Sequence, residues 1–285
     1  MRVVVVGARG QLGAAIVEAF SDGHDVEALG REDLDVSDDA AVAATMGRLQ
    51  PAAIVNCAAY NDVDGAEDNP IDALNGNAFA VRALARAAQE LDAILVHFSS
   101  DFVFDGTASG PYTEEDRPNP RSVYAASKLI GEWFAADAAR SYVLRVESLF
   151  GRAAAGPTPR GTIAGIVRKL FAGEAVQVFH DRTVSPTYLP DAARATRTLV
   201  DERAPAGVYH CVNSGSCTWL EFTVELARAL GVRSRLVPVG MADVPLRAER
   251  PRYCALSNQK LRAAGIVMPA WQDAVQRLAA AHVDR

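Results

Sequence analysis

A short β-branched run at residues 3–6 leads directly into a glycine-rich loop, Gly7-Ala-Arg-Gly10-Gln-Leu-Gly13, and an apolar helical spacing follows over residues 11–20. In the first strand–loop–helix unit of a parallel sheet, such glycines permit a tight turn and let the backbone approach a pyrophosphate at the helix N-terminus. The third glycine allows the helix to pack closely on the strand. The loop predicts dinucleotide binding, with a plain turn as the structural alternative.

Short apolar strands and helices continue to alternate up to residue 150. The predicted strands cover residues 25–29, 53–55, 93–98 and 142–146, and the predicted helices cover residues 40–49, 66–91 and 123–139. Asp38 is the expected N-cap of the helix over 40–49, and Pro51 closes it. Continuously apolar strands are typical of a parallel sheet that helices cover on both faces. The sequence therefore predicts an α/β, Rossmann-like doubly wound fold.

The alternation becomes looser after Gly151, where prolines are frequent. We predict two domains: residues 1–150 would bind the cofactor and carry the catalytic residues, and residues 151–285 would form a smaller mixed α/β lobe for the substrate. Some segments of this lobe are expected to return to the first domain. A Gly/Pro loop at 156–161, with Arg152 and Arg160, would either close over a diphosphate or simply be solvated.

Composition excludes several classes of protein. The 285 residues are 49% hydrophobic and carry a net charge of −6, which argues against disorder and against a nucleic-acid binder with a basic face. No apolar run approaches the ~20 residues of a membrane span, and we expect no signal peptide. The four cysteines form no CxxC pair and the five histidines are scattered. We therefore predict no metal site, no disulfide and a cytoplasmic location.

Tyr124-Ala-Ala-Ser-Lys128 places a phenol and an ammonium group on one face of a predicted helix. A nearby ammonium favours the phenolate, so we expect Lys128 to lower the pKa of Tyr124. Lys128 would also bind the nicotinamide ribose. Ser100, at the end of a predicted strand, would hydrogen-bond a substrate carbonyl, although a turn hydroxyl is the structural alternative. This set predicts hydride transfer from a nicotinamide to a carbonyl carbon, with Tyr124 as the proton donor.

The glycine spacing, GxxGxxG, resembles that of the extended short-chain dehydrogenase/reductase superfamily. Arg31 follows the predicted second strand and Arg9 lies in the glycine loop, so two guanidinium groups favour the 2′-phosphate of NADPH. Because Glu32 and Asp33 adjoin them, NADH could also be accepted. The resemblance implies that Asp35-Val36 lies beside the adenine, while a turn cap is the alternative for Asp35.

Longer motifs follow one another in an order found in one family of this superfamily. They are Asn56-Cys-Ala-Ala-Tyr-Asn-Asp-Val-Asp-Gly-Ala-Glu67, Phe98-Ser-Ser-Asp-Phe-Val-Phe-Asp-Gly-Thr107, Gly110-Pro-Tyr-Thr-Glu-Glu-Asp116 and Ser185-Pro-Thr-Tyr188. Together they resemble the dTDP-4-dehydrorhamnose reductases, over nearly the whole chain. The resemblance implies NADPH-dependent reduction of the C4 ketone of a dTDP-linked 4-keto-6-deoxyhexose, giving dTDP-L-rhamnose or a related deoxysugar.

The resemblance also implies roles for individual residues. Gly10-Gln11-Leu12 would hold the pyrophosphate, Ala58-Ala59-Tyr60 would line the cofactor, and Ser100-Asp101 would contact the sugar. Ser148 stands where the family usually has a Trp, so a large stacking surface is lost and the sugar could be a different one. From its own chemistry, Arg250 is a further candidate ligand of the substrate diphosphate.

Related activities leave alternatives open. The 4,6-dehydratases carry a Glu directly after the Asp of this motif, whereas Phe102 follows Asp101 here and cannot transfer a proton. Nucleotide-sugar epimerases share the catalytic residues, and only the reductase-like motifs disfavour them. The regulatory β subunit of methionine adenosyltransferase resembles the same family, so a non-catalytic NADP-binding subunit is an alternative of another class. The partners we expect are a nucleotide-sugar and, as an option, a second copy in a homodimer.

Overall fold

The computed structural model describes the backbone of residues 1–283. The strands are, in chain order, β1 (Arg2–Val6), β2 (Asp25–Leu29), β3 (Ala53–Asn56), β4 (Ile94–Ser100), β5 (Ser141–Val146), β6 (Leu149–Phe150), β7 (Ala175–Phe179), β8 (Thr183–Val184), β9 (Thr187–Tyr188), β10 (Gly207–His210), β11 (Cys217–Thr218) and β12 (Arg235–Val239). The α-helices are α1 (Gln11–Ser21), α2 (Asp39–Leu49), α3 (Gly65–Asp68), α4 (Pro70–Leu74), α5 (Ala80–Glu90), α6 (Val123–Ala135), α7 (Thr162–Phe171), α8 (Leu189–Asp201), α9 (Trp219–Ala229), α10 (Gln259–Ala263) and α11 (Trp271–Val283). None of the described helices combines the length and the hydropathy needed to cross a membrane.

Six of these strands form one sheet in the order β2-β1-β3-β4-β5-β10, and every neighbouring pair is parallel. After β1 the chain adds β2 on one side and then returns to add β3 on the other. This reversal is a topological switch point, and ligands of open α/β sheets bind outside the carboxyl ends of the strands at such a point. The predicted fold class, an α/β Rossmann-like doubly wound sheet, is confirmed.

The valine run of β1 is apolar throughout because helices cover both faces of the sheet. Val3 and Val5 belong to an apolar cluster that contains Phe20 of α1. Val4, which points to the opposite face, belongs to a cluster that contains Met46 of α2. Each sheet face thus has its own core, and together they fix the position of the strand ends.

Two later segments add to this first part of the molecule. Strand β10 pairs with β5, and α8 packs against α1 with Leu199 in the same apolar cluster as Phe20. Most of the remaining C-terminal elements share a separate cluster around Phe222 and Trp271. The boundary between the two domains at residue 150 stays a prediction.

The predicted elements differ from the observed ones mainly between residues 66 and 91. The single helix predicted there is wrong, because the chain forms α3, α4, a π-helical turn at Asn75–Phe79 and α5. Pro70 begins α4, and Asn69 before it has a non-helical backbone, as expected for a residue that precedes proline. The helix predicted to residue 139 ends at Ala135. Asp38 caps α2 as predicted, since its carboxylate accepts hydrogen bonds from two backbone N–H groups.

Candidate active site

The predicted catalytic side chains lie together in one cleft at the carboxyl end of the sheet. Ser100 ends β4, and Tyr124 and Lys128 lie on one face of α6, whose first turn is capped by Ser122. All three catalytic candidates are buried and line a cavity of about 320 Å³. The Lys128 Nζ donates a 2.6 Å hydrogen bond to the carbonyl oxygen of Phe98, and this bond fixes the position of the ammonium group.

Burial determines the protonation of this set. It raises the pKa of the Tyr124 phenol, and the Asp101 carboxylate raises it further, although Ser100 opposes the shift. The expectation that the pKa of Tyr124 lies below its ordinary value is therefore wrong, because burial dominates. Burial also lowers the pKa of Lys128 to about 8, so the protonated fraction of its amine falls as pH rises through this value. A phenol that keeps its proton is suited to donate it to a substrate.

The glycine loop connects β1 to α1 in the form that a phosphate site requires. Gly7 has a φ of 74°, and a Cβ there would lie 2.6 Å from the backbone nitrogen of Ala58. A Cβ at Gly13 would overlap the Gly7 carbonyl oxygen. The N-cap of α1 is Gly10, and no side chain caps the helix there. The first amides of α1 are thus free to bind an anion, which fits the pyrophosphate of a dinucleotide.

A second cavity, of about 610 Å³, continues from this loop along the ends of β1 and β3. It is lined by most of the predicted cofactor ligands: Gly7, Arg9, Gly10, Arg31, Asp35, Val36, Ala58, Ala59 and Tyr60. The remaining ones, Gln11, Leu12 and Gly13, line the catalytic cleft instead. Since both cavities share Gly10, Ala58 and Ala59, they form one continuous groove with room for a dinucleotide that reaches Tyr124.

The corner predicted to select the coenzyme holds charges of both signs. Arg9 forms ion pairs with Glu32 and, at 3.4 Å, with Asp33. Among the described residues Arg31 forms no ion pair, so its guanidinium is available to a 2′-phosphate. Asp35 lines the cavity and also accepts hydrogen bonds from Ser37, which lower the pKa of its carboxyl. Its position beside the adenine stays a prediction.

Asn77 was missed by the sequence analysis, although it shapes the cofactor groove. Its side chain accepts a hydrogen bond from the Tyr60 N–H at 2.9 Å and donates to the Tyr60 carbonyl and to the Ser127 hydroxyl, both at 3.0 Å. These bonds hold the lining segment that ends at Tyr60 against α6. The only signal in the sequence is a polar residue within an Ala-rich stretch, which a single predicted helix concealed.

The catalytic cleft is also lined by Asp101, Ser148 and a residue that the sequence did not predict, Glu147. The Ser100 hydroxyl donates a 2.8 Å hydrogen bond to Asp101. Ser148 has a φ of 46°, a left-handed conformation that is uncommon outside glycine and that often marks functional sites. Glu147 is 2% exposed, and nothing in its local pattern at the end of an apolar strand predicted a binding role.

Two of the candidates for the substrate diphosphate have contacts within the protein. The Arg250 guanidinium forms a bidentate pair with Asp64, at 2.9 and 2.8 Å, and lowers the pKa of that carboxyl to about 2. Its predicted contact with a diphosphate stays a prediction. The loop at 156–161 contacts the glycine loop, because the Arg160 backbone exchanges hydrogen bonds with the Gln11 side chain at 3.0 and 3.3 Å.

A parallel sheet with a glycine loop at its switch point, next to a buried Ser, Tyr and Lys, defines an oxidoreductase of the extended short-chain dehydrogenase/reductase type. Comparisons with known proteins narrow this class. The family model described as the RmlD substrate binding domain matches residues 1–283. The chain belongs to this family, as its motifs predicted.

Three relatives illustrate the similarity. The chain is 35% identical over 273 residues to a dTDP-4-dehydrorhamnose reductase of Streptomyces griseus, covering 93% of this chain and 88% of the relative. It is 35% identical over 283 residues to a probable dTDP-4,6-dihydroxy-2-methyloxan-3-one 4-ketoreductase of Streptomyces antibioticus, covering 97% and 94%. The crystal structure of a dTDP-4-dehydrorhamnose reductase from Bacillus anthracis, in complex with NADP, superimposes with a TM-score of 0.92 at 30% identity and covers 100% of this chain and 99% of that one.

Proposed function

We propose that the protein is an NADPH-dependent ketoreductase that acts on the C4 ketone of a dTDP-linked 4-keto-6-deoxyhexose. The observation that carries this proposal is the convergence of Ser100, Tyr124 and Lys128 in a cleft that continues into the glycine-loop groove. The names of the relatives in Streptomyces griseus and Streptomyces antibioticus support the reaction, and the NADP complex of the Bacillus anthracis protein supports the coenzyme.

The chain's own residues would bind the reactants and move one proton. The amides at Gly10-Gln11-Leu12 hold the pyrophosphate, and Lys128 binds the ribose. When bound, NADPH supplies the hydride for the ketone carbon. Ser100 orients the ketone oxygen, and Tyr124 donates its phenolic proton to that oxygen as negative charge develops there. The Lys128 ammonium then stabilises the phenolate that is left.

The coenzyme preference follows from the corner beside β2. The exposed guanidinium of Arg31, together with Arg9, would bind a 2′-phosphate through charge-assisted hydrogen bonds. Because Glu32 and Asp33 offset part of the Arg9 charge, NADH would be accepted with lower affinity. A cytoplasmic location and a homodimer remain predictions.

Turnover with a panel of nucleotide-linked 4-keto sugars tests the proposal. The purified chain is mixed with NADPH or NADH and each sugar, and the loss of reduced coenzyme is followed by its absorbance. We expect NADPH oxidation in equal amount to the dTDP-4-keto-6-deoxyhexose consumed. Isomerised sugar without net coenzyme oxidation would instead show an epimerase. No oxidation with any sugar, together with stable co-purification with a second enzyme, would point to the regulatory role.

A further inference from the structure

Glu147 brings an unexplained polar group into the catalytic cleft. Its side chain is buried directly after β5 and lines the same cavity as Ser100 and Tyr124. Its Oε2 accepts a 2.6 Å hydrogen bond from the backbone N–H of Ser185. Its Oε1 is buried, yet it has no hydrogen-bond partner among the described residues. A buried polar atom without a partner is costly, so one that lines a binding cleft is best explained by a ligand.

A second carboxyl group faces the same space. Asp101 and Glu147 bring a carboxylate oxygen each to within 4.8 Å of the other. One Asp101 oxygen accepts a hydrogen bond from Ser100, and the other, Oδ2, is also buried without a hydrogen bond. The nearest cation is Arg182, whose Nη2 lies 3.9 Å from that Oδ2. Two buried carboxyl groups that share one guanidinium retain one proton, because a second buried negative charge would be unpaired.

Glu147 is the group that retains the proton. Burial, followed by the charge of Asp101, raises the pKa of Glu147 well above its ordinary value. Burial also raises the pKa of Asp101, but there Arg182 opposes the shift more strongly than any other group, and its Nη2 forms its ion pair with Asp101. The ionisable groups that face Glu147 are Asp101, Arg182, Cys217, Tyr253 and Cys254. Burial raises the pKa of both thiols and of the phenol, so these three stay neutral. Since Oε2 already accepts from Ser185, the proton belongs on Oε1.

A metal ion is a poor occupant for this space. Asp101, Glu147 and the Cys254 thiol could in principle surround a cation. The Arg182 guanidinium, however, lies 3.7 Å from the Cys254 sulfur and faces Asp101 as well, so it repels any cation placed between these groups. The arrangement instead offers one hydrogen-bond donor and one acceptor side by side, which matches a hydroxyl group.

We propose that Glu147 is a specificity-determining residue that donates a hydrogen bond from Oε1 to the hydroxyl on the sugar carbon next to the reacting ketone, while Asp101 accepts a hydrogen bond from the same hydroxyl. This inference rests on the proposed function, because Ser100 and Tyr124 fix where the ketone oxygen lies. The Ser100 hydroxyl lies 2.8 Å from an Asp101 oxygen, and both residues line the same cavity as Glu147, so atoms next to the ketone would meet the carboxyl pair. The pair would then distinguish sugars that carry this hydroxyl from those that lack it.

The test compares two substrates and three proteins. The substrates are a dTDP-4-keto-6-deoxyhexose and its analogue without the neighbouring hydroxyl, and the proteins are the natural chain, Glu147→Ala and Glu147→Gln. We expect Glu147→Ala to raise KM for the hydroxylated sugar about tenfold, the size of one hydrogen bond to a buried partner, and to change KM for the deoxy analogue little. Glu147→Gln should recover most of the loss, because its amide can accept from Ser185 and donate from the other atom. An equal rise for both sugars would overturn the proposal.

The pH dependence of KM is a second measurement, and it would not differ between the proteins if Glu147 only filled space in the cleft. The donor is lost as Glu147 ionises, so KM of the natural chain should rise as pH increases through the raised pKa of Glu147, and it should rise more than KM of Glu147→Gln, which has no such proton to lose. Parallel pH profiles for the two proteins would contradict the inference. Glu114→Ala is the matched control, since Glu114 also accepts from a backbone N–H, that of His210, but lines neither cavity described above.

Binding measurements separate this inference from the proposed function. Calorimetry measures the affinity for a dTDP-6-deoxyhexose product and needs no turnover. Melting curves and the affinity for NADPH show whether each variant folds. If the natural chain binds the product yet reduces no ketone, the proposed function fails while Glu147 is still tested by the binding loss in Glu147→Ala. If the natural chain is active and neither KM nor product affinity changes in that variant, only the inference fails.

Discussion

The two walls of the catalytic cleft are built in different ways. The cofactor wall, formed by Ser100, Tyr124 and Lys128, comes from β4 and α6, which pack directly against each other in the sheet domain. The sugar wall is formed by Asp101 and Glu147, with Arg182 and Cys254 packed beside them, and these four residues come from segments far apart in the chain. In the cofactor wall the buried Lys128 ammonium is bonded to the Phe98 carbonyl. In the sugar wall, two buried carboxyl oxygens have no hydrogen bond among the described residues.

This difference shows where each wall meets its ligand. The cofactor wall fixes its own polar groups and so prepares a proton donor that works on any ketone placed beside it. The sugar wall leaves polar atoms unsatisfied, at a cost of about 1–3 kcal/mol for each buried group, and a substrate hydroxyl can recover that cost. General chemistry and sugar selection are therefore carried by different residues, and Asp101 links the two sets because it accepts a hydrogen bond from Ser100 and raises the pKa of Tyr124.

The largest effect is expected in the cofactor wall. Tyr124→Phe removes the proton donor and leaves the ring, so kcat should fall by about 10²–10⁴-fold while NADPH affinity is kept. Steady-state kinetics and coenzyme fluorescence measure the two quantities. Tyr142→Phe is the matched control, because among the described residues the Tyr142 hydroxyl bonds only the Ala204 carbonyl, at 2.7 Å, and Tyr142 lines neither cavity. Full activity of Tyr124→Phe would break the assignment of this wall.

The next effect concerns the stability of the sugar wall. Arg182→Met removes the guanidinium that faces Asp101, so the free energy of unfolding should fall by about 3 kcal/mol, as when one partner of a buried ion pair is lost. Adding Asp101→Asn should restore part of this stability, since the unpaired charge is then absent. Urea denaturation of the two variants measures both changes. A double variant no more stable than Arg182→Met would show that these charges do not depend on each other.

The smallest effect is expected behind the cofactor groove. Asn77→Ala leaves both backbone groups of Tyr60 without their partner, so the lining segment should loosen and Kd for NADPH should rise about fivefold to tenfold. Fluorescence titration measures the change. Asn69→Ala serves as the control, because the Asn69 side chain bonds Gly65 on an exposed surface of the same stretch. If both variants bind NADPH equally well, Asn77 does not position the groove.

The accuracy of prediction from sequence differs along the chain for physical reasons. The strand ends and the glycine loop depend on local patterns, so β2 was predicted with its exact bounds and Asp38 with its capping role. The stretch from 66 to 91 reads as one helix because alanine suits every helical position, while Pro70 and the π-helical turn divide it. The pKa of Tyr124 was predicted in the wrong direction, because spacing on a helix says nothing about burial.

The sequence by itself determined the family, the doubly wound sheet and the residues of the cofactor wall, because each depends on spacing within one strand–loop–helix unit or one helix turn. Only the tertiary structure decided the sugar wall. Glu147, Arg182 and Cys254 have no shared spacing, and the charge that each carries depends on the dielectric and on the neighbours that folding supplies. The protonation of a buried carboxyl pair is thus a property of the folded site, and it cannot be predicted from any single segment of the chain.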